Sequence, residues 1–258
     1  MNKRLIASAA ALVAALPLAA RAEDPPKSDW TFTSNVGLFS DYRFRGVSQT
    51  DKRAAIQGGF DVSHASGFYL GNWNSNIDSA MYTGGNIEMD FYGGYKLPIG
   101  EATLDLGALY YYYPGSGNQS AYPGSFGIHN TELYVGGSYG PFSLKYSQAV
   151  SNFFSAPDSK NSWYLDAGFA YDMGQGFGIV AHAGYQKLKG GAQVTEIGQT
   201  ALIDSITDYK LGVTYDLKGF VFGLSYIGTN RDLTGGTAAA TNRNISNGSA
   251  VVSLSRTF

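Results

Sequence analysis

Between Ile87 and Tyr113 the chain alternates with a two-residue period, and this limits its fold more than any other feature. Ile87, Met89, Phe91, Gly93 and Tyr95 interleave with Glu88, Asp90, Tyr92, Gly94 and Lys96. After a Leu-Pro-Ile-Gly-Glu turn, Leu104, Leu106, Ala108, Tyr110 and Tyr112 interleave with Thr103, Asp105, Gly107, Leu109 and Tyr111. Successive side chains of an extended strand point to opposite faces, so each run has one apolar face and one that carries charge. Each run is also about as long as a tilted membrane-spanning strand, which needs roughly 9–11 residues. Strands of soluble sheets are usually about 5–6. The apolar face is therefore expected to meet lipid.

Composition agrees. The 258 residues include 34 Gly, 19 Tyr and 15 Phe, only 15% are charged, and Cys is absent. Such a balance disfavours a helical protein and excludes a disulfide scaffold or a thiolate metal site. Residues 1–22 read as a secretory signal peptide. Lys3 and Arg4 precede the apolar run Leu5–Leu18, and Ala20-Arg21-Ala22 forms the cleavage pattern. The run is shorter than the roughly 18 residues of a spanning helix. Of the 18 basic side chains, three (Lys3, Arg4, Arg21) lie in this leader, so 15 remain against 20 acids, a charge of −5. That excludes a nucleic-acid partner.

After a lead-in at 23–29, residues 30–258 read as one unit of about twelve strands. The first is expected to run from Trp30 to Arg45, with Phe32, Val36, Leu38, Tyr42 and Phe44 on its apolar face and Asp41, Arg43 and Arg45 opposite. Further strands follow near 55–63, 68–75, 131–139, 142–149, 162–173, 177–188, 208–217, 220–228 and 249–258. The facing of the strand at 68–75 is ambiguous, because aromatics lie on both sides. Connections alternate long and short. The pattern predicts an all-β, antiparallel, up-and-down transmembrane barrel with short periplasmic turns and long extracellular loops. Closure would leave no unpaired edge. Tyr110–Tyr113, Phe153, Phe154 and Trp163 fall where an aromatic girdle would lie. Val252, Leu254 and the terminal Phe258 share a face, which resembles the terminal-aromatic signal read by the bacterial barrel assembly machinery. Arg256 interrupts that face.

Ser40–Thr50, S-D-Y-R-F-R-G-V-S-Q-T, resembles the signature of the TorF porin family, and Gly71–Asp78, Glu88–Tyr95 and Glu132–Ala149 are similar to the same family. The resemblance covers essentially the whole mature chain. It implies a bacterial outer-membrane barrel in contact with lipid and lipopolysaccharide, and it supplies no substrate.

In a small barrel the inward side chains decide whether it conducts and what it selects. The alternation turns Asp41, Arg43, Arg45, Asp61, Glu88, Asp90, Asp105, Glu132, Lys145, Asp166, Asp172, His182, Lys210 and Asp216 inward. Acids outnumber bases, so an open pore should favour cations or neutral solutes. Arg43 and Arg45 opposite Glu88 and Asp90 are the expected constriction. Alternatively the charges interlock, and the barrel is a non-conducting scaffold or binds a partner. An enzyme is not expected, because His64, His129 and His182 are scattered and none sits in a nucleophile motif. Gly174-x-Gly176-x-Gly178 opens a strand, so the dinucleotide reading fails. No metal or cofactor is implied. The reading is passive diffusion of small hydrophilic solutes.

Overall fold

The computed structural model describes residues 28–258. The expected signal peptide, and the lead-in except Ser28 and Asp29, lie outside the described residues. Twelve strands form one closed antiparallel barrel. They are β1 (Trp30–Phe39), β2 (Ala55–His64), β3 (Phe68–Asn76), β4 (Ile87–Ile99), β5 (Ala102–Tyr112) and β6 (His129–Tyr139), followed by β7 (Phe142–Ala149), β8 (Trp163–Gly174), β9 (Phe177–Lys187), β10 (Ser205–Leu217), β11 (Phe220–Thr229) and β12 (Ser249–Thr257). Each strand pairs with its neighbours in sequence. The ring closes where Asn35–Phe39 of β1 meet Thr257–Ser253 of β12. No helix among the described residues is long and apolar enough to cross a membrane, so any crossing is made by strands.

The alternation sets the faces. Phe32, Leu38, Phe60, Leu70, Phe91, Leu106, Leu133, Leu144, Leu211 and Leu224 all point outward and are exposed, whereas the partner positions turn into the lumen. Such an outer surface is stable only against hydrocarbon, and the closed ladder leaves it no unpaired backbone edge. The ambiguous β3 sends Phe68 and Leu70 out and buries Trp73 inside. Aromatic pairs ring the short-turn end, Phe68 with Tyr95 at 4.8 Å and Phe177 with Tyr215 at 4.7 Å. Near the long-loop end Trp163 lies between Tyr146 and Tyr185. Arg256, which breaks the outward face of β12, stacks on Phe220 and Phe258 at 4.4 and 5.1 Å.

Two expectations need correction. The first strand stops at Phe39, and Tyr42, Arg43, Phe44 and Arg45 belong to a loop that folds inside the mouth. The expected girdle is also split. Tyr110 and Tyr112 face out, but Tyr111 and Tyr113 are buried, and Phe153 and Phe154 pack against inner clusters. The reason is the same in both cases. At the long-loop end these side chains cover one another in two buried clusters, which removes them from water.

Leu211→Arg, midway along β10, should lower unfolding stability by about 2–4 kcal/mol in lipid vesicles. A loss below about 0.5 kcal/mol in urea titration would contradict a lipid-facing outer surface.

Candidate functional site

The first loop, residues 40–54, leaves the wall at Ser40, whose backbone N–H donates to the Val252 carbonyl at 2.9 Å while its Oγ accepts from the Val252 N–H at 2.9 Å. The chain then turns inward. Buried Asp41 organises the turn. It accepts from Ser48 Oγ at 2.5 Å and from Arg43 Nε at 2.5 Å. Arg43–Phe44 pair with Val47–Ser48 as a miniature hairpin. Its two-residue turn, Arg45–Gly46, has positive φ at both positions, 47° and 79°, as a type I′ turn requires. Gly46 is needed twice over. A Cβ there would lie 2.6 Å from Thr229 Cγ2 and 2.8 Å from Asp208 Cβ on the barrel wall. Arg45 tolerates its less favoured backbone because its side chain is held.

That side chain crosses to the far wall. Arg45 Nη2 donates to both oxygens of Glu132 on β6, at 2.9 and 2.7 Å, and Nη1 donates to Gln186 on β9. The guanidinium lies 4.2 Å from the Tyr164 ring centroid and 4.7 Å from that of Phe44. Phe44 in turn packs edge-on against Tyr111 and Phe154, at 5.7 and 5.8 Å. Arg43 stays at the near wall, donating to the carbonyls of Gly46, Ile245 and Asn247 and to Ser249 Oγ. Neighbouring loops lock this arrangement. Asp78 accepts from the N–H and hydroxyl of Thr237, each at 2.7 Å, and Arg243 pairs with Asp51. Burial, with the charge of neighbouring Arg43, holds the Lys52 ammonium below its ordinary range.

Beneath the loop the walls carry more polar contacts. His182 Nδ1 lies 2.9 Å from Asp166 Oδ1, and its Nε2 lies 2.6 Å from Asp208 Oδ1. The Tyr164 hydroxyl donates to Asp208 at 3.0 Å. A Cβ at Gly184 would come 2.0 Å from that hydroxyl, so the missing side chain makes the room. Asp105 accepts from Tyr69 and Asp61 from Tyr92, each at 2.6 Å. Lys145 stands opposite Asp166 and Lys210 opposite His182 in the strand register.

Of the expected constriction, the structure places Arg43 and Arg45 in the loop and gives them Asp41 and Glu132 as partners. Glu88 and Asp90 stand on the inner face of β4 under Tyr42, Tyr82 and Tyr113, without a basic partner among the described residues. Asp172 and Asp216 lie at the short-turn end, where they accept from the N–H groups of Gly174 and Gly219. Tyr164, Gln186 and Asp208 were missed. Asp208 could have been found, since it shares a face with Lys210 two residues on. His64 does have a serine in reach, Ser66 Oγ at 2.7 Å from Nδ1. The Ser66 N–H points to the same nitrogen at 3.1 Å, so this is a local turn contact.

The fold, a closed twelve-strand antiparallel barrel, is one that solved porins share. The NanC porin aligns over 88% of this chain and 99% of its own length, at 12% identity and a TM-score of 0.55. The KdgM porin, solved in complex with a disordered oligogalacturonate, aligns over 88% and 98%, at 8% identity and a TM-score of 0.52. Likeness at these identities concerns the fold alone. No curated protein matches the sequence. The family model Gcw_chp, described as a bacterial protein of unknown function, matches residues 23–258, and the chain belongs to that family.

Both partners of the Arg45–Glu132 pair are nearly fully buried, so Arg45→Met should cost about 3–5 kcal/mol by leaving Glu132 unpaired. Adding Glu132→Gln should recover part of that loss in urea unfolding. A double variant no more stable than the single one would contradict the pairing.

Proposed function

We propose that the protein is a porin of the bacterial outer membrane that passes small hydrophilic solutes, and that its first loop sets the width of the mouth. The observation that carries the reading is the inward loop, which brings Arg45 across the lumen to Glu132 at 2.7 Å inside a barrel whose outer face is apolar. A lumen lined with charge and narrowed by an internal loop is what a selective passive channel requires. Export would use the leader at 1–22, and assembly would use the outward Val252, Leu254 and Phe258 of the last strand. The likeness of Ser40–Thr50 to the TorF porins supports the same reading, because this segment forms the inward loop.

The inner charges favour cations or neutral solutes. Arg43 and Arg45 are each matched by a carboxylate, and His182 stands between two. That leaves Lys96, beside Asp61 and Tyr69, with Lys145 and Lys210 as the remaining inner bases against Asp61, Asp105, Glu88 and Asp90. The KdgM porin was solved with an oligogalacturonate, a polyanion; the inner surface here lacks the excess of base that a polyanion would need. A second reading, a non-conducting scaffold, draws on the interlocking of the first, second and last long loops through Asp78–Thr237 and Asp51–Arg243.

Planar-bilayer recording on the refolded mature chain separates the two. The pore reading predicts discrete steps with a cation-selective reversal potential in a salt gradient, and larger steps for Arg45→Ala. Silence from protein shown to be folded and inserted would overturn it in favour of the scaffold.

A further inference from the structure

The apolar outer wall is interrupted at one place. On β3 the outward positions beyond Leu70 are Asn72, Asn74 and Asn76, while Trp73 and Ser75 between them are buried on the inner side. Asn76 ends the strand and accepts from the Ile56 N–H at 2.7 Å, so it belongs to the rim. Asn72 does not. It is the fifth of nine residues, and its register neighbours are Phe60 on β2 and Phe91 on β4, 69% and 45% exposed. Each end of the strand is about 13 Å away, inside an apolar band about 25 Å tall, which puts this carboxamide near the bilayer midplane. Among the described residues, no other outward position at mid-strand carries an amide or a charge.

The asparagines meet only part of each other's needs. Asn74 Nδ2 donates to Asn72 Oδ1 at 2.6 Å and to the Gly58 carbonyl at 3.2 Å, and Asn72 Nδ2 donates to the Asp90 carbonyl at 3.0 Å. A carboxamide has two N–H donors and two acceptor lone pairs. Half-buried Asn72 therefore keeps one N–H and one lone pair uncommitted, and Asn74 Oδ1 accepts nothing. Hydrocarbon satisfies none of these groups, and polar side chains within a membrane gain by meeting others across an interface.

The occupant of this face must bring a donor and an acceptor to one point at mid-depth. An acyl chain brings neither, and a lipid headgroup lies too shallow. A second copy brings both. Turned about a two-fold axis through Asn72, its N–H meets the first copy's Oδ1 and its Oδ1 meets the first copy's N–H. The face is complementary in charge to its own image, as an isologous contact requires. Walls packed face to face stand about 10 Å apart, a gap that two opposed Asn side chains bridge. Gly58, opposite Asn74 in the register, has no side chain to hold the walls apart, and Phe60 and Phe91 shield the amide pair from lipid.

We infer that the outer face of β2–β4, centred on Asn72, docks a second copy of this chain within the membrane to form a two-fold dimer. The inference goes beyond the pore reading and needs no conduction.

The test is double electron–electron resonance on the mature chain refolded into lipid vesicles, with a nitroxide on Leu70→Cys, two residues from Asn72. The same label on Leu211→Cys, across the barrel on β10, is the control, and the chain has no Cys of its own. The expected result is a discrete short distance from Leu70→Cys and none from Leu211→Cys. Adding Asn72→Leu should weaken dimerisation about 10-fold, read from the dimer fraction on dilution in lipid, while heat-modifiable gel mobility stays that of the folded barrel. A dimer unchanged by Asn72→Leu would overturn the amide pair as its centre. No short distance from folded Leu70→Cys protein, or the same distance from both labels, would overturn the face itself. Those two readings keep Asn72 intact, so they hold even where Asn72→Leu does not fold.

Discussion

A sheet with hydrocarbon on its outer side can leave no backbone group unpaired, and the rest of this molecule follows from how that constraint is met. Eleven of the twelve strand junctions join consecutive strands through turns or loops. The twelfth joins β1 to β12 over Asn35–Phe39, with backbone bonds between Ser34 and Phe258 and between Ser40 and Val252 at its two ends, and beyond Ser40 the chain leaves the wall. What the wall loses there the loop replaces. The carbonyls of Ile245 and Asn247, which lead into β12, are met by Arg43 and by the Ser48 N–H. Closure of the barrel and the inward fold of the first loop are thus one arrangement.

That arrangement explains how the inner charge is distributed. Arg45 is aimed by a turn that only a few residue pairs can make, and its guanidinium is sandwiched among Phe44, Tyr164 and Glu132. Once it is committed to β6, it cannot serve the acids of β4. The mouth therefore has a neutralised side, where Arg45 meets Glu132, and an acidic, aromatic side under Tyr42 and Tyr82.

The barrel was legible in the sequence because a period of two is an unusually direct readout. Glu88 against Phe91, Asp105 against Leu106 and Lys145 against Leu144 each assign a face without any knowledge of neighbours. The loop was not legible for the same reason. Asp41-Tyr42-Arg43-Phe44-Arg45 continues the alternation of β1, so periodicity alone extends the strand through it. The signal against that extension was local, an Arg-Gly pair between Phe44 and Val47 that suits a two-residue turn. The partners were beyond reach in principle. Arg45 and Glu132 are 87 positions apart, and alternation says which face a side chain occupies but not which loop will cover it. Tyr111, Tyr113 and Phe154 show the same limit. An aromatic near the end of a strand serves a membrane girdle or an inner cluster equally well, and only the inward loop decides between them.

The position of that loop is the central claim, and solution NMR of the uniformly labelled, refolded barrel tests it without perturbing the site. The account predicts nuclear Overhauser contacts from the Phe44 ring to the rings of Tyr111 and Phe154, alongside the cross-strand contacts of the wall. A spectrum with intact wall contacts and no contact from Phe44 to either ring would contradict it.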